Sequence, residues 1–212
     1  VGQRRAGAAE LFLCLPLVLI MTPALVSSLH LGFRHVLPVL PFVVMCAGFG
    51  LQALASRPAA RLLAAGCLLW AAVSGARVYP NGLSYFNEWA GGPEGGWRYL
   101  ADSNLDWGQN LPELARYVAE RDLGRLQLYY FGIDLPSHYM PEDRFEARYP
   151  PLPTIAHTLP TRWEPQPGVY AISVNLLVGV GLAPTHRDYF AWFRSRAPDA
   201  RAGDSIFIYH VR

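Results

Sequence analysis

Three long apolar runs in the first 79 residues constrain this chain more than anything else in it. Leu11 to Leu29, Val36 to Ala55 and Leu62 to Tyr79 each hold about 18–20 residues with almost no charge. Crossing a hydrocarbon core of about 30 Å takes about 20 helical residues at roughly 1.5 Å each, so each run is long enough to span. A secretory signal peptide would account for the first run alone, since Arg4 and Arg5 precede it and Ala24 to Ser28 is a small-residue stretch. It leaves the other two unexplained. The chain opens on Val1 rather than Met and is read as a piece of a longer protein or a truncated gene product.

Arginine placement orients the spans. Arg4 and Arg5 precede the first, and Arg57 and Arg61 lie in the turn between the second and third. The excess of basic residues in cytoplasmic loops puts both groups inside. His30 to His35, and everything after Tyr79, then lie outside. Arg34 and Arg77 fall at the outer ends.

Charge divides along the same line. Residues 1–79 carry Arg4, Arg5, Arg34, Arg57, Arg61 and Arg77 against the single acid Glu10, whereas acids outnumber arginines in residues 80–212. No basic stripe marks the second part, which argues against a nucleic-acid partner. Cys14, Cys46 and Cys67 all lie in the apolar runs. Residues 80–212 are therefore expected to fold without disulfides or cysteine metal sites. The expected organisation is a membrane α-helical segment of three transmembrane helices, residues 1–79, and a C-terminal soluble α/β domain with a small sheet, residues 80–212.

Within the second part, Gly91-Gly92-Pro93-Glu94-Gly95-Gly96 reads as a loop among aromatics. Leu111, Leu114, Ala115 and Val118 predict a helix to Arg121, with Asn110 as its cap, Pro112 in the first turn and Gly124 beyond its end. Leu126–Phe131, Val169–Val174 and Ser205–Val211 read as strands, and Thr185–Arg196 as an amphipathic helix. Residues 134–167, rich in proline, read as one long loop.

Two motifs could carry chemistry. The first, Gly32-Phe33-Arg34-His35-Val36-Leu37-Pro38 with Pro41, opens the second run. A basic pair at a helix start favours an anion, such as a lipid phosphate held by Arg34, His35 and free backbone N–H groups. The same residues could simply anchor among ordinary head groups. The second is Asp102-Ser103-Asn104-Leu105-Asp106-Trp107-Gly108-Gln109. Amides, carboxylates and an indole together suit sugar recognition, and Asp102 with Asp106 could form an acid/base pair. The alternative is a loop whose polar side chains satisfy backbone groups ahead of the next helix. The four histidines after residue 130 are scattered without ligand spacing, so no metal or cofactor is expected, and no nucleotide-binding fingerprint is present.

These elements, with Tyr85-Phe86-Asn87-Glu88 and Gly91-Gly92-Pro93, resemble the C-terminal third of bacterial membrane glycosyltransferases of the family 39, GT-C type. Those enzymes are similar to dolichyl-phosphate-mannose protein mannosyltransferases and aminoarabinose transferases. The resemblance covers about residue 10 onward. It implies a multi-pass plasma-membrane (inner-membrane) enzyme, with its C-terminal domain outside the cytoplasm, that takes a sugar from a polyprenyl-phosphate carrier. The acceptor would be a glycan, lipid or protein. The resemblance also implies a catalytic Asp in the first outer loop of the parent, which falls on no residue here. Arg34 and His35 match the element expected near the carrier phosphate, and Asn104, Asp106, Trp107 and Gln109 match the outer-domain motif, with sugar or acceptor contact as the implied role. Rival readings are a membrane-tethered glycan-binding domain without catalysis and a purely scaffolding domain.

Overall fold

The computed structural model describes residues 2–26 and 32–212. The chain divides into two compact units, Val1–Arg77 and Val78–Arg212.

The first unit is helical: α1, Gly2–Val26, α2, Leu40–Leu54, and α3, Pro58–Arg77. Among the described residues, α3 is the one helix both long and apolar enough to cross a membrane; Glu10–Val26 and Leu37–Ala53 are shorter apolar stretches. α3 begins four residues before the expected Leu62 and stops two before Tyr79, and its 20 residues correspond to about 30 Å. α2 begins at Leu40 rather than Val36, because 3-10 turns at Phe33–His35 and Leu37–Val39 precede it. Pro38 has no N–H to donate and Pro41 is tolerated only in the first turn, so the α-helix starts where the prolines allow. The first run is described only to Val26, and its expected end at Leu29 lies outside the described residues.

The second unit is built on a five-stranded mixed sheet of order β2-β1-β3-β5-β4. Its first helix, α4, Gly92–Gly96, falls where a loop was expected. Gly91 takes φ 81° at its start, and Gly96 lies against the Phe86 ring with no room for a Cβ. The helix α5, Leu111–Glu120, buries Leu111, Leu114 and Val118, one stripe at helical spacing. It leads to β1, Leu126–Tyr129, which pairs in parallel with β2, Phe145–Ala147, and with β3, Gly168–Ser173. β3 runs directly into α6, Val174–Leu177. After α7, Ala191–Arg194, and β4, Ala200–Ala202, the strand β5, Ile206–Val211, inserts antiparallel between β3 and β4.

Period-2 alternation gives the sheet two buried faces. Leu126, Leu128, Phe145, Ala171, Ile206 and Ile208 pack with α5. Tyr129, Tyr170, Ile172, Phe207 and Tyr209 face α6 and α7. Helices on both sides of a small sheet make this an α/β unit. Two expectations need correction. The segment 134–167 is not structureless: it carries the edge strand β2 and three 3-10 turns. Thr185–Arg196 is not one helix: a 3-10 turn at Pro184–His186 is followed by the single turn α7. Tyr189, Phe190, Trp192 and Phe193 do mimic a helical stripe in sequence. Tyr189, Phe190 and Phe193 pack instead around Trp163, which stacks on Tyr189 with ring centroids 5.4 Å apart and meets Phe193 at 5.7 Å, while Trp192 packs on Phe193.

Candidate functional site

The motif at 102–109 is a wound loop clamped onto the sheet by one residue of α6. Asn175, fully buried, accepts from the Asp102 N–H at 2.7 Å and donates from Nδ2 to the carbonyls of Asp102 (3.3 Å) and Asp106 (3.1 Å). Asp102 holds φ 57°, a left-handed conformation that costs a non-glycine residue energy, and the Asn175 clamp offsets that cost. Much of the loop's polar chemistry is spent inside it. Asn104 donates to the Ala101 carbonyl at 3.1 Å, and Gln109 accepts from the Trp107 N–H at 2.8 Å while donating to the Leu105 carbonyl at 3.0 Å. Asn110 holds the N-cap position of α5, but its side chain makes no capping bond. Its Oδ1 accepts from the Ser205 hydroxyl at 2.8 Å and its Nδ2 donates to Asn81 at 2.9 Å.

Asp106 is the chemical centre of this arrangement, and it is enclosed. Its Oδ1 accepts from the Gly108 N–H at 2.8 Å, while Oδ2 is buried without a hydrogen-bond partner. Burial pushes its carboxyl up to about 6; the Gly108 N–H and the nearby Ser205 and Ser173 hydroxyls oppose that rise only in part. Tyr130, also pushed up to about 12 by burial and by the Asp106 charge, stays protonated and donates to the Gly108 carbonyl at 3.0 Å. Asp106 has no solvent-exposed surface; in this conformation the carboxylate faces the loop interior rather than the side open to a sugar or acceptor. Asp102 is exposed and Asp106 is not, so the two do not present a matched acid/base pair to a common ligand.

Trp107 is the motif residue that faces outward. It is 57% exposed, and its indole N–H donates to the Ser103 carbonyl at 3.2 Å, leaving the ring itself for contact. The ring lines a groove of about 860 Å³ with Tyr130, Phe131, Ile133, Arg148 and Tyr149. The groove also takes in Phe145, Glu146 and Ala147, the residues of the edge strand β2. Arg148 pairs with Glu146 at 3.1 Å, both partly exposed; such a pair contributes at most about 1 kcal/mol, and an incoming polar ligand can displace it. A planar ring beside exchangeable charged groups suits a hydroxyl-bearing ligand.

Arg34 and His35 lie in the 3-10 turn of the first unit, both exposed. Because α2 starts only at Leu40, they precede the α-helix rather than open it. His186 is buried between the Thr185 hydroxyl (2.9 Å) and the Leu159 carbonyl (3.1 Å), a structural position. Among the described residues, no group of three or more His, Cys, Asp or Glu side chains is placed to hold a metal ion.

Sequence reasoning missed Ser173, Asn175 and Ser205. Asn175 had a signal: it is an amide inside the apolar run from Val169 to Val178, where a buried polar group needs a partner. No family model matches the chain, and no curated protein or solved structure matches it.

Proposed function

We propose that this chain is the C-terminal part of a membrane glycosyltransferase that draws on a polyprenyl-phosphate-linked sugar, with the α/β unit outside the cytoplasm and the Trp107 groove contacting sugar or acceptor. The observation that carries the proposal is Trp107 itself. Its loop binds its own polar side chains, yet leaves one large ring exposed at a groove. In this reading the runs at 11–29 and 36–55 cross the membrane together with α3. The apolar side chains Leu62, Leu63, Leu68 and Leu69 are exposed on α3, which suits lipid as their surroundings rather than a protein core. Arg34 and His35 serve the carrier phosphate. No residue of this chain is assigned to the bond-making step.

The test uses the full chain in lipid nanodiscs, with short oligosaccharides and a polyprenyl-phosphate hexose as probes. Trp107→Ala should weaken oligosaccharide binding by about tenfold or more, about 1.4 kcal/mol, with folding unchanged. Equal affinity in the two proteins would sink the assignment. Replacing Arg34 and His35 by Gln should weaken binding of the polyprenyl phosphate more than that of a generic anionic lipid, and equal losses would leave only head-group anchoring. The enclosed Asp106 favours a second reading, a membrane-tethered glycan-binding domain without catalysis. Sugar transfer by the chain with its parent, abolished by Arg34→Gln, would exclude it.

A further inference from the structure

The segment from Tyr79 to Tyr99 is a strap that mixes buried anchors with exposed rings. Its anchors fix it to the rest of the second unit. Ser84, fully buried, donates to the Leu105 carbonyl at 3.4 Å, and Asn81 accepts from Asn110 at 2.9 Å. Phe86 packs on the core and against Gly96. The same segment carries large rings in the open: Tyr79 is 85% exposed, Trp89 86% and Tyr99 68%, with Leu83 at 41%. Single exposed apolar side chains are ordinary on a protein surface. Three exposed large rings within one segment, which is itself tied down at Asn81, Ser84 and Phe86, call for a partner.

Continuity of the chain says what that is. Tyr79 follows Arg77, the end of α3, by two positions, so two Cα steps of about 3.8 Å keep it within about 8 Å of the helix end. The rings are Tyr and Trp, whose apolar bodies and polar tips settle in the headgroup layer of a bilayer rather than its hydrocarbon core. Arg98, its guanidinium over the Trp97 ring at 5.0 Å, adds a positive charge beside Tyr99 suited to lipid phosphate. Glu88, next to Trp89, sets a limit on depth, because a carboxylate is costly to carry below the headgroups.

We infer that the exposed rings of this strap lie in the headgroup layer of the bilayer that α3 crosses and tether the strap to the lipid surface. The inference rests on the membrane reading of α3, and Trp70, inside α3 and 51% exposed, lets the two be judged separately.

The full chain is reconstituted into phosphatidylcholine vesicles brominated either near the headgroup or near the acyl-chain ends. Tryptophan fluorescence is compared among the wild type, Trp89→Phe and Trp70→Phe. Trp89→Phe should remove a component quenched by the shallow bromines and leave the deep-quenched component intact; Trp70→Phe should do the reverse. A Trp89 component quenched by aqueous acrylamide but not by lipid overturns the strap while Trp70 still reports a spanning helix. A Trp89 component shielded from both quenchers assigns the strap to protein contact and also overturns it. Loss of all bromine quenching, Trp70 included, overturns the strap together with the membrane reading.

Discussion

The two units of this chain turn their apolar residues in opposite directions. In α3, Leu62, Leu63, Leu68 and Leu69 are each more than three-fifths exposed, whereas in the sheet unit Tyr170, Phe190, Phe193 and Ile172 have no exposure at all. Residue type alone does not separate the two cases, since leucine is exposed in α3 and fully buried at Leu105, Leu111 and Leu114 of the sheet unit. Geometry does. A sheet with helices on both faces has an interior to fill, and a helix that touches few neighbours has only its surroundings. The same side chain therefore stabilises the fold in one unit and, under the proposed membrane reading, matches its solvent in the other.

Truncation should break that symmetry most clearly. Phe193 meets Tyr209 at a ring distance of 4.9 Å and Tyr170 at 5.3 Å, so Phe193→Ala is expected to cost about 3–5 kcal/mol of stability, as large aromatic cavities do. Urea unfolding of the full chain in nanodiscs, followed by sheet circular dichroism, reads this directly; a cost below 1 kcal/mol would mean the core is looser than the contacts indicate.

The sheet unit also keeps a titratable group in its interior, which the first unit does not among its described residues. Asp106 has its folded value raised to about 6 from 3.8, so the folded state holds the proton more tightly than the unfolded state. Its contribution is complete below pH about 4, is lost as pH rises to about 6, and is absent above that. A rise of about two units corresponds to about 3 kcal/mol at most. Asp106→Asn should therefore be more stable than wild type at pH 8 and converge with it near pH 4. Parallel pH profiles for the two proteins would show that the carboxyl is hydrated.

Gly108→Ala sharpens the contrast further, because Gly108 holds φ +88° and a Cβ would meet the Tyr130 hydroxyl. About 2 kcal/mol of destabilisation is expected from the left-handed conformation and the displaced ring, together with a shift in Trp107 fluorescence. The smallest effect belongs to the first unit: Leu68→Ala, at an exposed site, should change stability by less than about 0.5 kcal/mol. A loss comparable to that of Phe193→Ala would place protein, not lipid, against α3.

Local pattern made some elements legible in the sequence. The stripe Leu111, Leu114, Val118, the alternation in Leu126–Tyr129 and the β-branched and aromatic run Ile206–Val211 carry their own signals, and helix and strands form there. β2 carries none. Its three residues become a strand only because Leu126 and Leu128 present partners to Phe145 and Ala147, about 19 residues away. The aromatics after Asp188 illustrate the converse, a helical spacing overridden by packing on Trp163. In the motif, residue types pointed to a ligand surface. Only the fold shows that Asp106 turns inward and Trp107 outward, because the choice depends on Asn175, nearly 70 positions later.

Sheet order carries a consequence for how the unit is made. β5 is the last of the five strands in the chain but lies inside the sheet, paired to β3 on one side and β4 on the other. On a ribosome, β1, β2 and β3 emerge first and form a three-stranded patch with one face-completing neighbour still missing. β4 has nothing to pair with until Ile206–Val211 follows. Synthesis thus holds the domain open until its final strand arrives, and a pause before residue 206 would leave the edge of β3 available to any passing chain.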